Sequence, residues 1–173
     1  MSLLYRTILR PAVFLQDSEK AHNRLISTLS VTSRSRLLMS LTGNLYGSPD
    51  LPVNLFGLQF PNPLGIAAGL DKNGAAIPAW QALGFGFSEI GGVTLHDQLG
   101  NPKPRMFRAT AEKALVNRMG FNNIGAELVH DKLQTWKDSG LWPGTPVGVN
   151  LGKSKVTPLD EAPNDYAGSM KIL

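Results

Sequence analysis

The chain has 173 residues, 42% of them hydrophobic and 17% charged, a globular composition that is sufficient for one domain with a core and argues against disorder. It contains no cysteine, which excludes a disulfide framework, a thiolate metal site and a cysteine nucleophile within these residues. The formal charge is +4 and its excess lies early, where Arg6, Arg10, Lys20, Arg24, Arg34 and Arg36 face only Asp17 and Glu19; a basic front end points to an anionic surface, and without interleaved aromatics that surface is not expected to be nucleic acid.

No apolar run reaches the ~18 residues needed to cross a bilayer, and the first twenty residues lack an apolar stretch ending in a small-residue cleavage site. Neither a membrane span nor a secretory signal is read. Leu3, Leu4, Ile8 and Leu9, then Val13, Phe14 and Leu15, predict a short amphipathic helix interrupted at Pro11. Asp17 is placed to cap a second helix, with Glu19 in its first turn and Ala21, Leu25, Ile26 and Leu29 at helical spacing. The apolar side of this pair either packs on the rest of the chain or forms a lid on a membrane surface. A third helix, around Leu37 to Leu45, ends at the break Gly47-Ser48-Pro49-Asp50.

Beyond that break the period changes. Val53-Asn54-Leu55 and Leu58-Gln59-Phe60 flank Phe56-Gly57 as a small hairpin, and Pro61-Asn62-Pro63 leads into the strand GIAAG, residues 65–69. A helix from Ala75 to Leu83, a strand from Phe87 to Val93, a helix from about Ile124 to Trp136 and a strand from Val147 to Leu151 follow, an alternation that predicts a parallel sheet or barrel. The turn Asp71-Lys72-Asn73-Gly74 then lies after a strand's carboxyl end, where such folds hold ligands. There Lys72 is either a ligand contact or a solvated turn residue.

Asn117-Arg118-Met119-Gly120-Phe121-Asn122-Asn123 gathers three carboxamides and a guanidinium around one glycine, just before a helix start. Carboxamides suit the edge of a planar imide and backbone N–H groups favour an anion; the plainer reading is an Asn-rich turn. Asn150 before Gly152 repeats the arrangement of a polar side chain followed by glycine. Nucleotide-loop patterns fail: Gly84-Phe85-Gly86 is followed by Glu89 where glycine is required, and Gly152-Lys153-Ser154 has Val147 at the required glycine. His22, His96 and His130 lack metal-ligand spacing, so no metal is expected.

Taken together, NPLGIAAGLDKNG (62–74), FSEIGGVT (87–94), GNPKPRMFR (100–108), NRMGFNN (117–123) and GVNLGKSK (148–155) resemble, in order and spacing, the quinone-dependent (class 2) dihydroorotate dehydrogenases. Asp17-Ser18-Glu19-Lys20-Ala21-His22 is similar to the family's D-P-E-x-A-H at the start of its second lid helix. The resemblance implies an α/β fold, a (β/α)₈ barrel of which about three strands are present here. It divides the chain into a helical lid for membrane and quinone at residues 1–46 and the amino-terminal part of the barrel at 47–173.

It further implies FMN at the strands' carboxyl ends, oxidation of dihydroorotate to orotate in pyrimidine synthesis, and transfer of electrons to a membrane quinone. The substrate loses its C5 proton to a base and a hydride from C6 to the flavin. By motif position, Ala68, Gly69, Leu70, Asp71, Lys72, Gly92 and Asn150 match FMN contacts. Lys72, Asn117, Arg118, Met119, Gly120 and Phe121 match the orotate-binding segment, and His22 and Arg108 match the quinone site. The location implied is peripheral to a membrane, at the cytoplasmic face of the cell membrane in a bacterium. Gly92 stands where the family usually has Thr or Ser, and Thr94, two residues on, is the expected substitute for the missing hydroxyl. The family's serine base is expected beyond Leu173, because a barrel needs ~250 residues. The 173-residue chain alone is therefore expected to be a non-catalytic fragment without stoichiometric FMN.

Overall fold

A computed structural model describes residues 3–173. The chain opens as one helical rod: a π-helical stretch, Tyr5–Leu9, passes directly into α1, Arg10–Phe14. The expected interruption at Pro11 is thus a correction. Pro11 lies at the first turn of α1, where a missing N–H costs little, and the wider π turn ahead of it relieves the crowding that would break a regular helix. Helix α2, Ser18–Ser33, starts where expected, with Asp17 accepting from the Lys20 N–H at 2.9 Å. Helix α3, Arg36–Tyr46, is capped by Ser35, which accepts from the Leu38 N–H at 3.3 Å.

The hairpin β1–β2 (Val53–Leu55, Leu58–Phe60) forms with Val53 opposite Phe60. Three parallel strands follow in spatial order β3 (Gly65–Ile66), β4 (Phe87–Val93), β7 (Val147–Leu151), crossed over by α4 (Ile77–Ala82) and α5 (Gly125–Asp138). β3 is shorter than the GIAAG run: its ladder with β4 stops after Ile66, and the chain returns to β4 once more where the Gly69 N–H, at a φ of 104°, donates to the Gly91 carbonyl at 2.7 Å. Helix α4 starts two residues later than expected because the N–H groups of Ala75 and Ala76 are held by the Asp71 carboxylate, at 2.7 and 2.8 Å.

One element is absent from the sequence expectations: an antiparallel hairpin, β5 (Met106–Ala109) with β6 (Ala114–Asn117), which stands between β4 and α5. The helix-like sequence at Met170 to Leu173 belongs to a longer final helix, α6, which runs over Ala162–Ile172. The β4–β7 register pairs Gly91 with Asn150 and then Val93 with Leu151, so Gly92 is a bulged residue outside the ladder.

Two apolar clusters set the frame. Ile90 and Val93 of β4 pack with Ala126, Val129, Leu133 and Trp136 of α5. On the other side of α4, Trp80 packs with Ile66 and Ala76 and receives Ile26 and Leu29 from α2. Half of the apolar face read on α2 is therefore turned toward the sheet unit, while Leu25 on the same helix stays exposed. The clusters leave the other strand face, with Glu89 and Asn150, toward the open side of the sheet, where Asn150 donates to Glu89 at 3.2 Å. Among the described residues no helix is long and apolar enough to cross a membrane.

Candidate functional site

The carboxyl ends of the three parallel strands open onto a cavity of about 730 Å³. Its floor is the turn after β3, with Ala68, Gly69 and Leu70, and Lys72 reaches in from two positions beyond Leu70. A Cβ built on Gly69 meets nothing within 4 Å, so the floor is clear of side chain just where the chain passes closest to the cavity. Gly92 of β4 and Asn150 of β7 form one wall. Asn117, Arg118, Met119, Gly120 and Phe121, following β6, form the facing wall, and His22 of α2 closes the top.

The geometry sorts the residues read from sequence. Asp71 does not line this cavity: its carboxylate is buried and accepts from the Ala75 and Ala76 N–H groups and from the Trp80 indole at 3.2 Å. It fixes the turn that aims Lys72, which is a different task from the direct contact expected of it. Thr94 also faces elsewhere. Its hydroxyl, fully buried, donates to the His96 carbonyl at 2.6 Å and meets the Asn123 carboxamide, so it does not stand in for a hydroxyl at position 92. A Cβ at Gly92 would lie 3.3 Å from the Phe121 ring and 3.4 Å from Asn150 Oδ1; glycine here leaves Phe121 room to close on Asn150. Arg118 lines the cavity with part of its length, while its guanidinium donates to the Pro104 carbonyl at 3.2 Å and lies over the Phe107 ring.

Lys72 is half-buried and makes no hydrogen bond or ion pair among the described residues. Burial holds its ammonium below the ordinary lysine range, and the Arg105 charge adds to the effect while Glu19 opposes it. His22 is likewise held low, first by burial and then by the Lys72 charge, against the opposing charges of Asp71 and Glu19. A cation without a protein partner, carboxamides on two walls and the side-chain-free Gly69 on the floor suit a flat molecule carrying negative charge.

Arg108 belongs to a second, apolar cavity of about 530 Å³ between the amino-terminal helices and the hairpin β5–β6, lined among others by Val13, Phe14, Leu25 and Thr28. His22, Met106 and Leu115 border both cavities, so the two adjoin through this partition. Met106 and Leu115 were not singled out from the sequence. Their signal was the alternation of RMFRA and ALVN around a four-residue turn, which reads as a hairpin with one face covered.

The class these features define is an α/β protein with a cationic, amide-lined ligand site at the carboxyl ends of parallel strands, adjoining an apolar cavity under amino-terminal helices. The family description "Dihydroorotate dehydrogenase" matches residues 50–173. Proteins named dihydroorotate dehydrogenase (quinone) are similar over almost the whole chain: that of Chloroflexus aurantiacus is 49% identical, covering 99% of this chain and 48% of its own length. That of Gloeobacter violaceus is also 49% identical, over 98% and 47%. The crystal structure of DHODH from Eimeria tenella in complex with ferulenol superposes with a TM-score of 0.69 at 35% identity, covering 89% of this chain and 41% of that one.

The chain belongs to the dihydroorotate dehydrogenase family. It spans about half the length of the curated relatives it matches.

Proposed function

We propose that this chain provides the amino-terminal part of an FMN-dependent dihydroorotate dehydrogenase, which oxidises dihydroorotate to orotate in pyrimidine synthesis and delivers the electrons to a membrane quinone. In this reading β3, β4 and β7 are the first strands of a (β/α)₈ barrel at residues 47–173, and residues 1–46 form the quinone lid. The observation that carries it is Lys72: an unpartnered, burial-depressed ammonium in the same cavity as Asn117, Asn150 and the turn from Ala68 to Leu70.

The donor set fits FMN. The floor beside Gly69 has no side chain to exclude a planar ring, and Asn150 and the Gly92 bulge edge the same space. When bound, FMN supplies the redox chemistry, accepting electrons from the substrate and passing them on. The chain's own residues do the placing. Lys72 attracts the orotate carboxylate, and Asn117 offers donor and acceptor to its imide-like edge, with the backbone from Arg118 to Phe121 around it. Glu89 accepts from Asn150 Nδ2 and so fixes that carboxamide's orientation. No serine lines the cavity among the described residues.

His22 and Arg108 serve the quinone, reached through the apolar cavity. The exposed leucines at positions 3, 4, 9, 37, 41 and 45 give the lid a surface suited to the membrane interface, which makes the protein peripheral, at the cytoplasmic face of the cell membrane in a bacterium. The test is a chimera in which residues 1–173 are joined to the carboxyl half of the Chloroflexus aurantiacus relative. It is expected to purify with a flavin spectrum and to reduce a quinone with dihydroorotate. A folded chimera devoid of flavin would overturn the assignment.

A further inference from the structure

At the outer rim of the apolar cavity lies a separate recess of about 290 Å³ between α1 and the turn of β5–β6, lined by Arg10, Arg108, Lys113 and Thr110. We propose that this recess binds the phosphodiester headgroup of an anionic phospholipid. The proposal rests on residues 1–46 being a membrane-facing lid, and it adds to that reading a defined lipid site.

The recess gathers three cations and no carboxylate among its lining residues. The ion pairs among the described residues lie elsewhere, at Glu19 with Lys103 and Arg105. Like charges held this close repel unless an anion sits among them. The arrangement is nevertheless built rather than splayed into solvent. The guanidinium carbons of Arg10 and Arg108 lie 5.0 and 4.9 Å from the centroid of the same ring, Phe14, which fixes both on one aromatic. Arg108 is held further by donating to the Gln16 carbonyl at 2.6 Å.

The side chains of Arg10 and Lys113 make no hydrogen bond or ion pair among the described residues, which leaves their donors available to an anion in the recess they line. Lys113 is set in place by the turn: it adopts φ 52° and its N–H bonds the Thr110 carbonyl at 3.3 Å. Guanidinium and ammonium together suit the oxygens of a phosphate.

The surroundings select a lipid over a free anion. Phe14, Arg108 and Leu115 line both this recess and the apolar cavity, so charge and hydrocarbon surface meet along one edge. Exposed Leu9, Leu15 and Val116 flank it. A ligand matching that edge has an anionic head and an apolar tail.

The test is flotation of the full chain, synthesised cell-free in the presence of vesicles of phosphatidylcholine alone or of phosphatidylcholine containing phosphatidylglycerol. Phosphatidylglycerol is expected to raise the floated fraction. The double variant Arg10→Gln, Lys113→Gln is expected to lose roughly 30-fold in affinity for the anionic vesicles, about fivefold for each cation, with its binding to phosphatidylcholine unchanged. Arg10→Lys with Lys113→Arg should restore it. Lys132→Gln with Lys171→Gln, removing equal charge from α5 and α6, should bind like the parent.

An equal loss in that control would show a diffuse field and overturn the site. Displacement by excess inorganic phosphate at matched ionic strength would assign the recess to a free anion and overturn the lipid. Equal flotation of parent and Arg10/Lys113 variant overturns the proposal while leaving the membrane lid standing; flotation with neither vesicle overturns both.

Discussion

Helices α1 and α2 are neighbours in sequence, yet they are held in opposite ways. No residue of α1 is buried, and neither is any residue of the π-helical stretch before it. In α2, by contrast, Ser18, Glu19 and Ser33 are all buried. The first end of α2 is tied by Glu19, which accepts from Arg105 at 2.7 Å, and by the Ser18 hydroxyl, which donates to the Met106 carbonyl. The last end is tied by Ser33, whose hydroxyl accepts the Ala79 N–H of α4 at 3.1 Å. α1 has instead the Arg108 guanidinium, bonded to the Gln16 carbonyl and resting on Phe14. The apolar cavity thus has one wall built into the sheet unit and one wall held through exposed contacts, Arg108 on the Gln16 carbonyl and Arg24 on the Gln16 carboxamide among them. That is the arrangement expected where a lipid-soluble molecule must enter.

The largest expected effect comes from breaking the fixed wall. In the chimera, Glu19→Ala leaves Arg105 buried without its carboxylate and is expected to destabilise by about 3–5 kcal/mol in urea unfolding; a loss below about 1 kcal/mol would erase the contrast between the helices. The same pair gives a pH dependence of known sign. The hydrogen bond from Arg105 is the largest influence on Glu19 and holds its carboxyl below the ordinary range against the opposing effect of burial. Its stabilisation is therefore complete above the ordinary carboxylate pKa and is lost as pH falls through the lowered folded value. Glu19→Gln should flatten that part of the stability profile.

Ser33→Ala, which removes one of the two acceptors of the Ala79 N–H and leaves it the Ala76 carbonyl at 3.0 Å, is expected to cost about 0.5–1.5 kcal/mol. Arg108→Ala should leave global stability within about 0.5 kcal/mol while amide exchange in residues 3–14 accelerates. Comparable exchange gains in α2 would show that the two helices move as one.

Much of this was legible in the sequence where local chemistry decided it. Asp17 reads as a cap and caps; Phe56-Gly57 reads as a turn and turns; Ile90, Val93, Val147, Val149 and Leu151 of β4 and β7 are apolar because they pack into the cluster with α5. The cavity residues were legible as stretches, through their likeness to a known family, but their division of labour was not. Asp71 and Lys72 are adjacent and polar, and only the fold shows that one holds the turn and the other faces the cavity. Thr94 lies beyond the bulge at Gly92, which shifts the alternation that would have put it on the cavity side. Glu19 and Arg105 are 86 residues apart, a separation across which no periodicity carries information. Pro11 was misread because its effect depends on the π turn preceding it.

The central claim is that Lys72 is the cation that holds the substrate's carboxylate. It is tested most directly by titrating orotate into the flavin-loaded chimera and into its Lys72→Ala variant, with affinity expressed per flavin bound. The variant is expected to bind orotate about 30-fold or more weakly. Equal affinity in parent and variant would contradict the account and return Lys72 to the role of a turn residue.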